Sequence, residues 1–358
     1  MTTVGVFLST AHFPEQSYHE VFDNVLTYAQ AAERLSYDAV WVNEHHFIRF
    51  GACSSSLAVA GFLLGHTRRI RVGTAVVLVP LHHPIEVAEH AVLLDHLSGG
   101  RLDLGLGRGA YPRDLAVFGC PIEKTQQAMF ENVDVILRAW SQEAVGLDSD
   151  LRRFPPVSVT PKPRTQLHPP VYIAAGSPET VTWAARRGLP MLFGWYLSID
   201  EMARQADLYA QIASEAGHDP ATIAHVVAGI GHVASSREEA TRALMDNLIW
   251  WSEVGQAAGS HDDLAKYEGY RHLQQRDTRN KALGITNPRD MAQHLIDVNP
   301  VGTAEQCRAW LQEASARTGA RRFAVLLDLA AQREPVLENL ERFAHEVVAP
   351  LTSASAQV

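Results

Sequence analysis

Eight short apolar runs, each followed by a longer segment with helical periodicity, recur along this 358-residue sequence. Alternation of strands and helices predicts a parallel sheet whose connections are right-handed crossovers. The predicted strands are Val4–Leu8 and residues 38–42, 70–77, 101–107, 170–175, 190–195, 224–235 and 321–327.

Eight alternations favour a closed barrel over two separate domains. No linker rich in Pro, Gly or Ser divides the chain, so we predict an α/β fold, a single (β/α)8 TIM barrel over residues 1–350. Residues 256–300 break the regular spacing because they are polar, charged and longer than a normal βα connection. Such an insertion is either a mobile surface segment or a lid over an active site. Residues 351–358 are predicted to be a disordered tail.

Charge and cysteine content argue against several classes of function. The formal net charge of −9 leaves no basic footprint for nucleic acid or an anionic membrane. No apolar run is long enough to cross a bilayer, and we find no export signal before the first strand. The cysteines at 53, 120 and 307 form neither a disulfide framework nor a metal-binding spacing, so we expect a cytoplasmic protein.

A cluster of ionisable residues ends the second predicted strand. Glu44, His45 and His46 directly follow "AVWV", and active sites of (β/α)8 barrels form at the carboxyl ends of the strands. A catalytic role and a structural role explain the cluster equally well. In the structural role, one histidine caps the strand and the other faces solvent. A metal site that adds His82 and His83 is the less favoured reading, because adjacent residues at a strand end point to opposite sides.

Two loops carry features that suit a phosphate group. In "LGLGRGAYPRD", Arg108 lies between two glycines, and its guanidinium can donate two parallel hydrogen bonds to anionic oxygens. After the fifth and next predicted strand, Ser177 and Pro178 are typical of a helix N-terminus, where free N–H groups attract anions, and Thr180 falls in the first turn. Tight packing or ordinary capping explains either feature alone. Because adjacent strands of a barrel are neighbours, we predict that the two loops converge on one site.

Several stretches together resemble the flavin-dependent luciferase-like monooxygenases, the family of the catalytic α subunit of bacterial luciferase. In the family's order, they are "VWVNEHHF", "VGTAVVLVPLHHP", "LLDHLSGGRLDLGLGRG", "RDLAVFG", "PVYIAAGSPETVTWAARRGLPM", "LYAQIASEAGHD" and "NPVGTAEQC". The resemblance implies a two-component monooxygenase that takes reduced FMN (FMNH2) from a separate flavin reductase. The flavin would react with O2 to form a C4a-peroxyflavin, which oxygenates an organic substrate such as an aldehyde or another carbonyl compound.

The resemblance also implies roles for individual residues. His45 matches the essential catalytic histidine, with Glu44 beside it near the isoalloxazine ring. Tyr111 and Asp114 match residues in and behind the substrate cavity. The remaining cofactor-binding matches comprise a non-proline cis peptide under the ring, the phosphate cradle and an aromatic residue near the flavin: Ala75, Val76, Arg108, Gly176, Ser177, Thr180 and Trp195.

The resemblance extends to the lid and to a subunit interface. Residues 256–300 correspond to a mobile loop that closes over the active centre, and His83 and Glu89 lie on a matching dimer interface, which implies a homodimer. Three features depart from the family: Gly107 replaces a reactive cysteine of the light-emitting members, Gly176 replaces an acidic residue, and the loop "AKYEGYRHLQQRDTRNK" retains little similarity.

Two alternative functions fit the same barrel. One is an F420-dependent oxidoreductase, against which Glu44 and the pairing of Arg108 with Ser177 favour FMN. The other is a non-catalytic flavin-binding subunit, against which the presence of His45 and of the long insertion argues.

Overall fold

The computed structural model describes residues 2–258, 267 and 270–351. Within them, eight parallel strands form a closed barrel in which each strand pairs with the next and the last pairs with the first. The predicted (β/α)8 TIM barrel is confirmed. Its strands are β1 Thr3–Leu8, β2 Ala39–Val42, β3 Arg71–Thr74, β4 Leu102–Gly107, β5 Val171–Ala174, β6 Met191–Phe193, β7 Val226–Ile230 and β8 Arg322–Leu326.

Helices surround the barrel, and local signals in the sequence set several of their starts. Ser17 begins the first helix with the predicted capping box: its hydroxyl accepts from the Glu20 N–H at 3.2 Å, and its own N–H donates to the Glu20 carboxylate at 2.6 Å. The helices are α1 Tyr18–Arg34, α2 Ser56–His66, α3 Pro84–Ser98, α4 Pro112–Val117, α5 Thr125–Ser141, α6 Pro178–Ala185, α7 Ile199–Glu215, α8 Arg237–Ala257, α9 Arg271–Ala282, α10 Pro288–Asp297, α11 Ala304–Thr318 and α12 Arg333–Arg342.

The apolar core has two layers, one inside the barrel and one between the strands and the helices. Along β2, Ala39 and Trp41 belong to the inner layer, whereas Val40 and Val42 belong to the outer layer. Successive side chains of a strand point to opposite faces, and both faces are covered here. This double burial explains why the strands are apolar throughout.

A buried ion network closes the amino-terminal end of the barrel. The Asp103 carboxylate accepts from Arg71 at 2.7 Å and from Arg322 at 2.8 Å, and Arg322 also donates to Asp38 at 2.9 Å. Asp103 is fully buried, which alone would raise its pKa, but the two guanidinium groups hold the pKa below its usual value. The network lies opposite the mouth at which functional residues are expected.

Three parts of the chain differ from the strands and helices predicted from sequence. Residues 145–157 contain an antiparallel hairpin, and residues 304–318 form helix α11, neither of which was predicted. The seventh predicted strand, residues 224–235, was too long: β7 ends at Ile230, and His232–Val233 pairs separately with Val301–Gly302. At the end of β7, the Ile230 N–H donates to the Asn299 side chain at 2.8 Å.

The predicted insertion at residues 256–300 is largely helical in its described part. It contains the end of α8, all of α9 and α10, and α10 packs against α8. Residues 259–266 and 268–269 of this insertion lie outside the described residues, as do residues 352–358 of the predicted tail. Leu351 is helical and buried. Among the described helices, none has both the length and the apolar character that a bilayer crossing requires.

Candidate active site

A cavity of about 730 Å³, called the active cavity below, lies at the carboxyl ends of the strands. Nine of the residues predicted from sequence to form the site line it: His45, Ala75, Val76, Arg108, Tyr111, Gly176, Ser177, Thr180 and Trp195. Glu44 and Asp114 are buried behind the wall and are not part of the lining.

His45 lies in the loop after β2, where its backbone N–H donates to the Cys53 carbonyl at 2.8 Å. The imidazole packs edge-on against the rings of Phe50 and Tyr111, with centroids 4.9 and 5.8 Å away. Its Nδ1 atom is buried and has no hydrogen-bond partner among the described residues. Burial lowers the pKa of His45 to about 4. The ring is therefore neutral at pH 7, and one nitrogen can accept a proton.

The Glu44 side chain points away from the active cavity and forms hydrogen bonds with residues of neighbouring segments. One carboxylate oxygen accepts from the Ser56 N–H at 3.1 Å and hydroxyl at 2.9 Å, and the other accepts from the Leu78 N–H at 3.1 Å and His82 Nε2 at 2.7 Å. Burial opposes the charge, but the His46 imidazole, whose Nε2 lies 3.9 Å from the carboxylate, and the hydrogen bond from His82 hold the pKa of Glu44 far below its usual value. Glu44 thus fixes the loop that carries His45.

Asp114 is buried in α4 and does not line the active cavity. One of its oxygens, Oδ2, has no hydrogen-bond partner within the described residues. Burial raises the pKa of Asp114 to about 6, and the opposing effect of nearby His46 is smaller. The residue predicted to lie behind the cavity is therefore a carboxyl group that titrates close to neutral pH.

Arg108 presents a positive charge to the active cavity and forms no ion pair within the described residues. Its Cζ lies 3.9 Å from the ring centroid of Tyr270, and its Nη1 is buried without a hydrogen-bond partner in the described part of the chain. Across the same wall, the Ser177 hydroxyl caps α6 by accepting from the Thr180 N–H at 3.3 Å. An unpaired guanidinium beside a helix N-terminus suits an anion such as phosphate.

Two glycines of the predicted site differ in the room that they leave for a side chain. A Cβ atom at Gly107 would lie 2.3 Å from Val76 Cγ2, so a cysteine at this position requires Val76 to move. A Cβ at Gly176 would lie 3.5 Å from both His272 Nε2 and the Tyr196 hydroxyl, an ordinary contact distance, so a small side chain would fit at this position. The Ala75–Val76 peptide bond is cis, which confirms the geometry that the resemblance implied.

Part of the cavity wall comes from residues that sequence reasoning did not assign to the site. Trp251 on α8 packs against Trp195, with ring centroids 5.1 Å apart. The Tyr270 hydroxyl lies 3.1 Å from the Gly109 carbonyl oxygen, to which it donates, and 3.0 Å from Thr125 Oγ1. The clearest sequence signal for these residues was the run "IWW" within α8, but such an aromatic cluster is also typical of an ordinary hydrophobic core. Helices α9 and α10 add Leu273, Arg276, Asn280, Met291, His294 and Leu295 to the lining.

Two of the histidines considered for a metal site, His82 and His83, are engaged in other contacts. His82 donates to Glu44, and His83 caps α3 by accepting from the Ile85 N–H at 3.2 Å. Among the described residues, no group of three or more His, Cys, Asp or Glu side chains has an arrangement that could hold a metal ion.

Comparison with known proteins identifies the family. The family model of the luciferase-like monooxygenases matches residues 2–322. The alkanal monooxygenase alpha chain of the Kryptophanaron alfredi symbiont is 32% identical over 353 residues, which cover 98% of this chain and 99% of that relative.

Two solved structures share the fold. Monooxygenase RslO1 from Streptomyces bottropensis has a TM-score of 0.77 at 24% identity and covers 98% of this chain and 99% of its own. The oxygenating constituent of 3,6-diketocamphane monooxygenase from Pseudomonas putida, a type II Baeyer–Villiger enzyme in complex with FMN, has a TM-score of 0.76 at 20% identity over 97% of both chains. The chain belongs to the luciferase-like monooxygenase family, the flavin-dependent family whose motifs its sequence carries.

Proposed function

We propose that this enzyme binds reduced FMN from a separate reductase and uses O2 to oxygenate an organic carbonyl compound. The observation that carries the proposal is the Arg108 guanidinium in the active cavity, whose Nη1 has no hydrogen-bond partner among the described residues, together with the N-terminus of α6 in the same wall. A carbonyl substrate accords with the names of the similar proteins, an alkanal monooxygenase and a Baeyer–Villiger monooxygenase. When bound, the reduced flavin supplies the activation of O2.

The residues of the cavity fit the chemical parts of FMN. Arg108, Thr180 and the free N–H groups at the start of α6 would hold the phosphate. Ala75, Val76 and Trp195 would contact the flat ring system. This division matches charge to the anionic end of the cofactor and apolar surface to its aromatic end.

In this proposal His45 accepts a proton from the substrate or the activated oxygen and returns it later in the cycle. The neutral imidazole that its low pKa produces is suited to the first step. The aromatic side chains around it, Phe50 and Tyr111, exclude water from the same space. Water exclusion matters because a reactive oxygen species that meets water is lost as peroxide.

Replacing Arg108 with alanine is expected to weaken binding of reduced FMN by about 10- to 100-fold, the loss typical of hydrogen bonds to a charged group. Anaerobic titration of the purified enzyme with photoreduced FMN, followed by fluorescence, measures the dissociation constant.

The matched control for this experiment is Arg113→Ala. Arg113 lies five residues further along the chain, in α4, is exposed, and donates to the Phe47 carbonyl at 3.5 Å. Its replacement is expected to leave the dissociation constant unchanged. An Arg108→Ala enzyme that binds as tightly as this control would mean that the phosphate lies elsewhere.

We also propose that the enzyme is a homodimer that associates through α2 and α3. These adjacent helices carry three exposed apolar side chains: Phe62 is 47% exposed, Leu93 49% and Leu97 74%. Glu89, on α3, is exposed as well. Exposed apolar groups that cluster on two neighbouring helices are typical of an interface.

Replacing Leu97 with aspartate is expected to convert the dimer to a monomer, because the charge would be buried without a partner. Sedimentation velocity of the wild-type enzyme should give about twice the 39.4 kDa mass of one chain, and the variant about one chain. The control is Leu167→Asp, which changes an 82% exposed leucine far along the chain. A wild-type protein that sediments as a monomer would contradict the proposal.

A further inference from the structure

A second and much smaller cavity lies between the end of β1, helix α1 and the loop that follows β8. Its volume is about 20 Å³, which is enough for one water molecule. We call it the Asp328 pocket. Its polar lining residues are Ser9, Thr10, Gln16, Asn24, Tyr28 and Asp328.

Two polar atoms of this lining have unused hydrogen-bonding capacity. Asp328 Oδ1 and the Tyr28 hydroxyl are buried, and neither has a hydrogen-bond partner among the described residues. A buried polar atom that forms no hydrogen bond costs about 1–3 kcal/mol, so native proteins satisfy such atoms, often with an ordered water. The size of the pocket and its polar lining both point to such a water.

Ser9 connects the Asp328 pocket to the active cavity, since it lines both. Asp328 Oδ2 accepts from the Ser9 N–H at 2.7 Å and from the Ser9 hydroxyl at 2.9 Å. The two oxygens of one carboxylate thus face different partners: Oδ2 is bonded to a hydroxyl at the wall of the active cavity, and Oδ1 is free for a water. The pocket is nearest to solvent at Gln16 and Ala331. These two lining residues are partly exposed, whereas the other lining residues are buried.

We propose that the Asp328 pocket binds one water molecule and that Asp328 and Ser9 pass protons between this water and the active cavity. In the outward direction, Ser9 Oγ takes a proton from a donor in the active cavity as its own proton moves to Asp328 Oδ2. The protonated carboxyl turns so that its proton faces the pocket water, gives the proton to this water and becomes a carboxylate again, and the water releases a proton to solvent past Gln16 and Ala331. Only O–H bonds form and break, no group is oxidised or reduced, and the reverse sequence delivers a proton to the cavity.

The surroundings of Asp328 allow both protonation states near neutral pH. Burial raises the pKa of Asp328 to about 6, while the hydrogen bonds from Ser9 act in the opposite direction. Tyr28 faces the carboxylate from α1, and Arg333 and Glu334 at the start of α12 are the charged groups beside Tyr28. The carboxyl group therefore holds its proton below about pH 6 and releases it above that value.

The binding site itself is tested on the enzyme without flavin. A high-resolution crystal structure should contain a water within hydrogen-bond distance of Asp328 Oδ1. Infrared spectra should contain a carboxyl C=O band that grows as the pH falls through about 6. That band should be missing in Asp328→Asn, and the difference between the two spectra removes the contribution of Asp114.

The control for the spectra is Asp95→Asn. Asp95 is a buried carboxylate that lines neither cavity, and its two oxygens accept from the Thr165 N–H at 2.8 Å and hydroxyl at 2.6 Å. Its replacement should leave the band in place. A well-ordered Asp328 with no neighbouring water, or a band that survives Asp328→Asn, would overturn the proposal.

The relay rests on the proposed function, because it serves proton exchange in a cavity that binds reduced FMN. Asp328→Asn is expected to bind reduced FMN normally, to lower the rate of its turnover with O2 by about tenfold or more, and to abolish a pH dependence near 6. Normal binding with an unchanged rate and pH profile would overturn the relay. If wild-type enzyme fails to bind reduced FMN, the proposed function falls, and the crystal and infrared results still decide whether the water and the titrating carboxyl exist.

Discussion

Replacement of His45 by alanine is expected to reduce oxygenation of the substrate by about 10²- to 10⁴-fold, the range typical of lost acid–base catalysis. The Nδ1 atom of the imidazole is buried in the cavity wall without a hydrogen-bond partner in the described part of the chain, and the ring lies against Phe50 and Tyr111, which are not among the residues proposed to hold the phosphate. Binding of reduced FMN should therefore change little. The measurement is the yield of oxygenated product per reduced FMN consumed, together with the dissociation constant.

The pH dependence of this activity should also reflect the burial of His45. Its pKa is lowered to about 4, so the proton-accepting form is complete at neutral pH and is lost only as the pH falls toward 4. A surface control, His19→Ala on α1, should match the wild type. Undiminished product yield in His45→Ala would remove His45 from the catalytic role.

Replacement of Asp103 by alanine is expected to lower the free energy of unfolding by about 3–5 kcal/mol. The change leaves the guanidinium groups of Arg71 and Arg322 at the end of the barrel without the carboxylate that both contact. Chemical denaturation followed by circular dichroism measures the loss. Because the pKa of Asp103 is lowered in the folded state, its contribution is complete above the unfolded pKa and disappears as the pH falls through the folded value.

The exposed pair of Asp148 and Arg153 provides the control. Its side chains are 70% and 78% exposed, and pairs of this kind contribute under about 1 kcal/mol. Asp148→Ala should therefore barely change the unfolding free energy. Equal losses of unfolding free energy in the Asp148 and Asp103 variants would contradict a stabilising role for the buried ion network at the amino-terminal end of the barrel.

The barrel was predictable because its signal is periodic and repeated. The strands are apolar on both faces, as Val40 and Trp41 in β2 illustrate, and several of the helices that follow them begin with a capping residue, as Ser17 does for α1. Helix α11 carried such a signal too: Thr303 and Gln306 form a capping box that the sequence reading did not use. The hairpin at 145–157 offered less, since its second strand contains two prolines.

The candidate site was predictable where function follows from position on a strand end. Arg108 and Ser177 were assigned to one site because neighbouring strands carry them, and both line the active cavity. Trp251 and Tyr270 were missed because they reach the cavity from α8 and from the insertion, which are distant in sequence. Asp328 was missed for a similar reason: its partner Ser9 is 319 residues away.

The position of Glu44 at the end of a strand does not predict in which direction its side chain points. Glu44 is adjacent to His45, yet its carboxylate points into the packing between loops and bonds Ser56 and His82. Adjacent residues at a strand end point to opposite sides, so one of this pair faces the cavity and the other supports it.

The most direct test of the central claim compares two reduced flavins that differ only in the phosphate. Anaerobic titration of the purified enzyme should show one bound FMNH2 per chain, with reduced riboflavin binding at least about tenfold more weakly because it cannot engage Arg108 and the start of α6. Equal affinity for both flavins, or no binding of either, would contradict the proposal that this cavity holds FMN by its phosphate.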